Sequence, residues 1–320
     1  MIVTERAASK KIFEKAAEQG VSIAIFCTAS YWNTEAILLA SQRLKQKHNL
    51  PSVPVVVATT FTYKHMPQCR RFTHSDNERA GFLSHMAHMR ALTDGKYAPY
   101  GDVTVLPHLD HADPERDGWA LNVPIPYFSS VMFDAQRFPL EQNIQMTKQY
   151  VQQYGDQVLI EGIMEMLNVE GGATAKQVDN YAEQAARYVE QTGVDFFVAD
   201  LGTEQQTSSV GNAKYNQQRA KELTSALGKK MLVLHGTSCL TNDQVKGLID
   251  DGVARVNMWT RIVRESGQYA AEQLVSRMDQ VRAGHFDSAE SYQYMLDNVE
   301  KAADIMVEMM ELFGYANWKG

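Results

Sequence analysis

The chain has little of what would direct it to a nucleic acid, a membrane or an oxidising compartment. Only three of its 320 residues are cysteine: Cys27, Cys69 and Cys239. An odd, widely spaced set without a C-x-x-C pair predicts reduced thiols and a cytoplasmic location. It also excludes a zinc site built from four cysteines, so any metal must rely on histidine and carboxylate. Positive charge is in deficit, with 31 Lys and Arg against 38 Asp and Glu, a net charge of -7. A general nucleic-acid binder needs a basic surface, so none is expected here. No apolar run reaches the ~20 residues of a membrane span, and Met1-Ile2-Val3-Thr4-Glu5 is too polar to open a signal peptide. No linker rich in proline, glycine or serine interrupts the chain, and residues 1–320 are expected to form one domain.

What is present is an alternation. Apolar runs at Val21–Phe26, Val53–Ala58, Val103–Leu106, Ser129–Phe133, Val158–Ile163, Asp195–Leu201, Met231–Leu234 and Val253–Val256 read as eight strands. Helical stretches lie between them: Lys10 to Gly20, one capped by Asn33 or Thr34, Asn77 to Thr93, and Leu140 to Tyr154. A helix with Val178, Tyr181, Ala185 and Val189 on one side, Tyr215 to Leu227, and Asn242 to Asp251 follow. This pattern predicts an α/β fold, a single (β/α)8 TIM barrel. A doubly wound dinucleotide-binding sheet would need a glycine-rich first turn, and residues 27–33 (C-T-A-S-Y-W-N) hold no G-x-G. Residues 262–320 read as a helical extension with a long helix from Ser288 to Phe313. Its methionines (Met295, Met306, Met309, Met310) are expected in the core or at the interface of a homodimer or homotetramer.

The third strand runs into V-L-P-H-L-D-H-A-D, Val105 to Asp113, where apolar residues stop in a burst of titratable groups. In such barrels the polar groups at strand ends converge on one rim. Here those are Asp110 and His111, Asp134, Glu161 with Glu165, Glu204 and Gln205, His235, and Asn257. Two imidazoles and carboxylates from different strands suit a catalytic zinc with an open position. Gly236-Thr237-Ser238 and Asn257-Met258-Trp259-Thr260-Arg261 follow strands seven and eight, where phosphate is commonly held by backbone N–H groups. His85 and His88 share a helix with Phe82, Met86 and Met89 and read as structural. Lys64, Arg70 and Arg71 read by default as a solvated loop; folded over the rim, they would hold a second anionic group. Taken singly, Asp110 could hydrogen-bond backbone at a strand end, His111 could be a satisfied rim histidine, and His235 could be kept for packing.

Several short motifs occur in a fixed order: H-L-D-H (His108 to His111), S-V-M-F-D with P-L-E-Q-N-I (Ser130 to Ile144), T-G-V-D (Thr192 to Asp195), L-G-T (Leu201 to Thr203), V-L-H-G-T-S (Val233 to Ser238) and V-N-M-W-T (Val256 to Thr260). Together they resemble the class II, zinc-dependent fructose-bisphosphate and tagatose-bisphosphate aldolase family, over roughly Val103 to Arg261. The resemblance implies a divalent metal, zinc, held by His111 and His235, polarising the ketone of a phosphorylated or otherwise anionic ketose. It implies Asp110 as the proton-transfer group, His108 as support beneath it, and Asp134 and Glu161 as candidates for a second metal position. Gly236, Thr237, Ser238, Thr260 and Arg261 would hold an anionic substituent, and Asn257 would orient the donor carbons.

The sequence departs from the family pattern at definite places. The third zinc histidine falls on Gln205, within G-T-E-Q-Q, so that either Glu204 or another carboxylate completes a two-His, one-carboxylate site, or zinc affinity is low, or no metal binds. Strand five retains only Glu161 of E-A-E-L-G. The lid after Gly171-Gly172 (Ala173 to Asp179) lacks the acidic G-G-E-E-D, Arg261 stands where the family has Asp, and C-T-A-S replaces N-V-N-N. The expected activity is reversible aldol cleavage to a dihydroxyacetone-phosphate-type fragment and an aldehyde. The alternative is an aldolase-derived barrel without zinc chemistry, a sugar-phosphate binding protein or isomerase-type enzyme.

Overall fold

The apolar runs become the staves of a closed parallel barrel in a computed structural model that describes residues 1–167, 180–205, 215–285 and 291–320. The strands are β1 (Ile23–Cys27), β2 (Pro54–Thr59), β3 (Thr104–Ala112), β4 (Ser130–Phe133), β5 (Leu159–Ile163), β6 (Phe196–Val198), β7 (Leu232–Leu234) and β8 (Val253–Met258). Each pairs with its sequence neighbour, and β8 closes on β1 through Ile25↔Asn257. Such strands are buried on both faces, which explains why they read as continuous apolar runs rather than alternating ones.

Helices wrap the barrel: α1 (Arg6–Glu18), α2 (Tyr31–His48), α3 (Glu78–Thr93), α4 (Gly118–Asn122), α5 (Leu140–Tyr154), α6 (Tyr181–Thr192), α7 (Gln217–Leu227), α8 (Asn242–Val245), α9 (Thr260–Ser276), α10 (Met278–Arg282) and α11 (Ser291–Leu312). Met306, Met309 and Met310 are buried on α11, which packs against α2 and α9, so these methionines serve the core. Among the described residues no helix is long and apolar enough to cross a membrane.

Three local expectations are corrected. The N-cap of α2 is Ser30, whose hydroxyl accepts from the Asn33 amide; Asn33 and Thr34 lie inside the helix. The expected helix from Asn242 to Asp251 breaks after Val245, because Gly247 adopts a left-handed turn (φ 74°) before a short 3-10 segment. Most consequentially, β3 does not stop before its histidines but runs on through Ala112. The starts of the α6 and α11 patterns (Val178, Ser288), the double glycine and the lid lie outside the described residues.

Candidate active site

The continuation of β3 depends on one extra residue. Its register with β4 runs His108↔Ser130 and Leu109↔Val131, then resumes as Ala112↔Phe133, so Asp110 and His111 form a bulge. A regular strand would point neighbours to opposite faces. Here His111 takes φ 48°, a left-handed conformation costing about 1–2 kcal/mol in an L-residue, and both side chains reach the same cavity. Strain of this kind persists where the surroundings hold it in place. His111 is held on two sides. Its Nδ1 meets Asp134 Oδ2 at 2.8 Å, and its ring stacks on Tyr63 with centroids 4.2 Å apart and planes 7° from parallel.

Around this bulge the strand ends supply the rest. Asp110, His111 and His235 each offer a ligand atom, all within 4.8 Å of one another. Asn257, at the end of β8, donates from Nδ2 to Asp110 Oδ2 at 3.1 Å, and the Cys27 thiol donates to Asn257 Oδ1 at 3.2 Å. The turn after β7 is tied down by two hydroxyls: Thr203 donates to the His235 carbonyl (2.7 Å) and Thr237 to the Asn257 carbonyl (2.8 Å). Gly236, Thr237, Ser238, Asn257 and Thr260 thus line one cavity of about 500 Å³ with the Asp–His–His cluster and Gln205.

The electrostatics are those of a coupled buried cluster. Burial disfavours charge on His111, yet Asp110, the hydrogen-bonded Asp134 and Glu161 outweigh it and push the imidazole up to about 9. Burial would likewise raise the Asp110 carboxyl, but His111, His235 and His108 hold it below the usual carboxylate range. His108 is driven well below the ordinary imidazole range, first by burial and then by Arg255. Glu161, fully buried beneath His235, stays in the low range despite desolvation because Arg255 and His235 face it.

The donor set fits a divalent ion of the zinc type. Two imidazoles and a carboxylate are a recognised first-row ligand combination. Asp134 on His111 Nδ1 leaves Nε2 as the free nitrogen, the carboxylate–histidine arrangement that orients ligands in metal sites. Asp110 Oδ1 is buried without a hydrogen-bond partner among the described residues.

The profile of the family described as Fructose-bisphosphate aldolase class-II matches residues 7–318. The chain belongs to that family. Relatives of this class II aldolase include the Streptococcus pneumoniae fructose-bisphosphate aldolase, 22% identical over 96% of this chain and 97% of the relative. Another is the 6-phospho-5-dehydro-2-deoxy-D-gluconate aldolase of Shouchella clausii, 35% identical over 56% of this chain and 60% of the relative. Among solved structures, the Campylobacter jejuni fructose-bisphosphate aldolase superposes with a TM-score of 0.72 at 18% identity, covering 95% of this chain and 93% of that one. The YdjI aldolase of Escherichia coli K12 gives 0.67 at 21% identity, covering 98% of each chain. As a class II aldolase the protein is a carbon–carbon lyase, and its family uses a divalent metal.

Not every residue singled out in the sequence meets in this cavity. Asp134 supports His111 from behind, and Glu161 lies under His235 in an ion pair with Arg255. Glu204 lines neither the cavity nor the cluster; its backbone packs against Gly236 instead. Gln205 lines the cavity, and its Oε1 accepts from the Tyr63 hydroxyl at 3.0 Å. Arg261 does not line the cavity and is engaged by Glu265 and Asn242. Arg70 pairs with Glu78, whereas Lys64 lines a cavity together with His111 and Gln205. His85 is a core residue, stacked on Phe72 and pushed down to about 3 by burial and His88. Sequence reasoning missed Tyr63, Cys27 and Arg255. Tyr63 carried a weak signal as an aromatic within the basic loop; Arg255 carried a stronger one, a lone cation inside an apolar strand.

Proposed function

We propose that this aldolase is zinc-dependent and reversibly cleaves a phosphorylated ketose to a dihydroxyacetone-phosphate-type fragment and an aldehyde. The observation that carries the reading is the meeting of Asp110, His111 and His235 with the Gly236–Ser238 turn in one cavity. His111 and His235, with Asp110 or Gln205 beside them, would hold the ion, which supplies Lewis-acid stabilisation of negative charge on the ketose oxygen. Asp110 accepts the proton of the hydroxyl that becomes the aldehyde and returns it in the condensation direction; Asn257 holds its other oxygen in place. Backbone N–H groups of the Gly236–Ser238 turn and Thr260 at the start of α9 take the phosphate, using the positive end of that helix.

Across Tyr63 a second cavity of about 770 Å³ shares His111 and Gln205 with the first and is lined by Lys64 and Arg116. It is the natural place for the aldehyde half. Its cations suit an acidic group, the kind of group that the gluconate relative's substrate carries at one end.

The test is Asp110→Ala with a panel of phosphorylated ketoses. Cleavage should fall by roughly 10²–10⁴-fold, while binding of inorganic phosphate survives. Full activity in this variant would remove the proton role. Gln205, a poor zinc ligand, favours the alternative of a barrel without zinc chemistry. Metal analysis of protein purified without chelator decides between them, through stoichiometric zinc that His111→Ala abolishes or its absence under replete conditions.

A further inference from the structure

Beneath the catalytic cluster lies a column of polar groups that the cleavage chemistry leaves unexplained. Arg255, on β8, is fully buried at the barrel axis, its guanidinium 5.0 Å from the Phe13 ring and 4.7 Å from that of Phe196. Desolvating a guanidinium is costly, and a buried ion pair is at best a weak stabiliser compared with apolar packing. Its contacts lead upward in two branches. Nη1 lies 3.0 Å from Glu161 Oε2, and Glu161 Oε1 lies 3.5 Å from His235 Nε2. Nη2 donates to Ser130 Oγ at 3.1 Å, which meets His108 Nδ1 at 2.8 Å, and His108 Nε2 faces Asp110 Oδ1 at 3.9 Å.

We propose that Arg255 is a positioning residue for both halves of the active site, fixing His235 through Glu161 and Asp110 through Ser130 and His108. The direction of each branch follows from what these groups can do. A guanidinium only donates, so the Ser130 oxygen accepts from Arg255 and its own proton is free for His108 Nδ1. The Ser130 carbonyl is the more distant contact, at 3.1 Å. That places the ring proton of His108 on Nε2, which faces Asp110 Oδ1 across 3.9 Å; neither atom has a hydrogen-bond partner among the described residues. On the other branch the Glu161 carboxylate, held by Arg255, only accepts. His235 therefore keeps its proton on Nε2 and presents Nδ1 to the cavity. One cation beneath the floor sets the orientation of a ligand and of the proton-transfer group together.

The inference rests on the function proposed above for its consequence, and its test separates the two. Ring ¹⁵N spectra of the histidine-labelled protein should show His108 as the Nε2–H tautomer, and Ser130→Ala should lose that preference. Cobalt(II), titrated against a chelator, should bind Arg255→Met and Glu161→Gln roughly 10–100-fold more weakly than wild type, with an altered visible spectrum. Arg255→Lys should recover most of the cobalt affinity but not the His108 tautomer. Ser130→Ala should lower kcat with cobalt affinity unchanged. If Arg255→Met fails to fold, the Glu161→Gln and Ser130→Ala variants carry the test. A wild-type His108 found as Nδ1–H, or folded Arg255 and Glu161 variants with wild-type cobalt affinity, overturns the inference. A wild type that binds no metal and cleaves no ketose phosphate overturns the functional reading, while the His108 tautomer still decides the first branch.

Discussion

The rings of Tyr63 and His111 are stacked nearly parallel, their planes 7° apart and their centroids separated by 4.2 Å, and the tyrosine hydroxyl reaches past the imidazole to Gln205. One side chain therefore covers His111, engages Gln205, and lines both cavities. Tyr63→Phe keeps the stack and loses one hydrogen bond, worth about 0.5–1.5 kcal/mol, so kcat/KM should fall by roughly 2–10-fold. Tyr63→Ala releases the His111 ring and should cost on the order of 10²-fold through misplacement. Steady-state kinetics on the same ketose phosphate check this. A Phe variant worse than the Ala variant would assign the role to the hydroxyl instead.

Gln205 lies in the cavity beside His111 and His235 but offers an amide, a weaker donor than imidazole toward zinc. Gln205→His should therefore raise zinc affinity by about tenfold or more, read by competition with a chromophoric chelator. Weaker binding in a folded Gln205→His variant would show that Tyr63 and Gln205 have reshaped this corner beyond the geometry of a third ligand.

Behind the rim, Glu165 is half-buried between Tyr181, which donates to it, and the Asp200 carboxyl. Burial first, and then Asp200, raise it from 4.5 to about 7. A carboxyl raised on folding binds its proton more tightly in the folded state. Stability is highest below pH 4.5, declines as pH rises toward 7, and carries the full penalty above that. Replacing it by a neutral amide, Glu165→Gln, should flatten this dependence. The stability difference between variant and wild type should shift by on the order of 3 kcal/mol from pH 4.5 to pH 8, in favour of the variant at the higher pH. Urea unfolding at both pH values measures it, and parallel stability profiles would sink the prediction.

Gly236 opens the turn after β7 at φ +71°, and a Cβ there would lie 2.8 Å from the Glu204 carbonyl carbon and oxygen. Gly236→Ala should lose roughly 1–2 kcal/mol from the backbone conformation alone, with the clash adding to it. The turn would be displaced from His235, so KM for the ketose phosphate should rise together with a lower melting temperature. An unchanged KM in a destabilised variant would separate the turn from phosphate binding.

The sequence by itself determined the barrel. Eight doubly buried strands write themselves as apolar runs, and glycines such as Gly193 and Gly228 mark where helices must end. It also marked the strand ends that carry Asp110, His111, His235 and Asn257, because titratable residues at the end of an apolar run stand out locally. What only the tertiary structure decided is how these groups face one another. The bulge that turns both Asp110 and His111 inward depends on pairing with β4, and no local pattern announces a single extra residue. Arg261 looked like part of the anion site by proximity in the chain, yet Glu265 and Asn242 draw it away. Tyr63, distant in sequence from the motifs, and Arg255, which immediately precedes the last of them, reach the site because closing the barrel brings β2, β3 and β8 around one axis. Local chemistry is written in the order of residues; distances across the barrel arise only when the sheet closes.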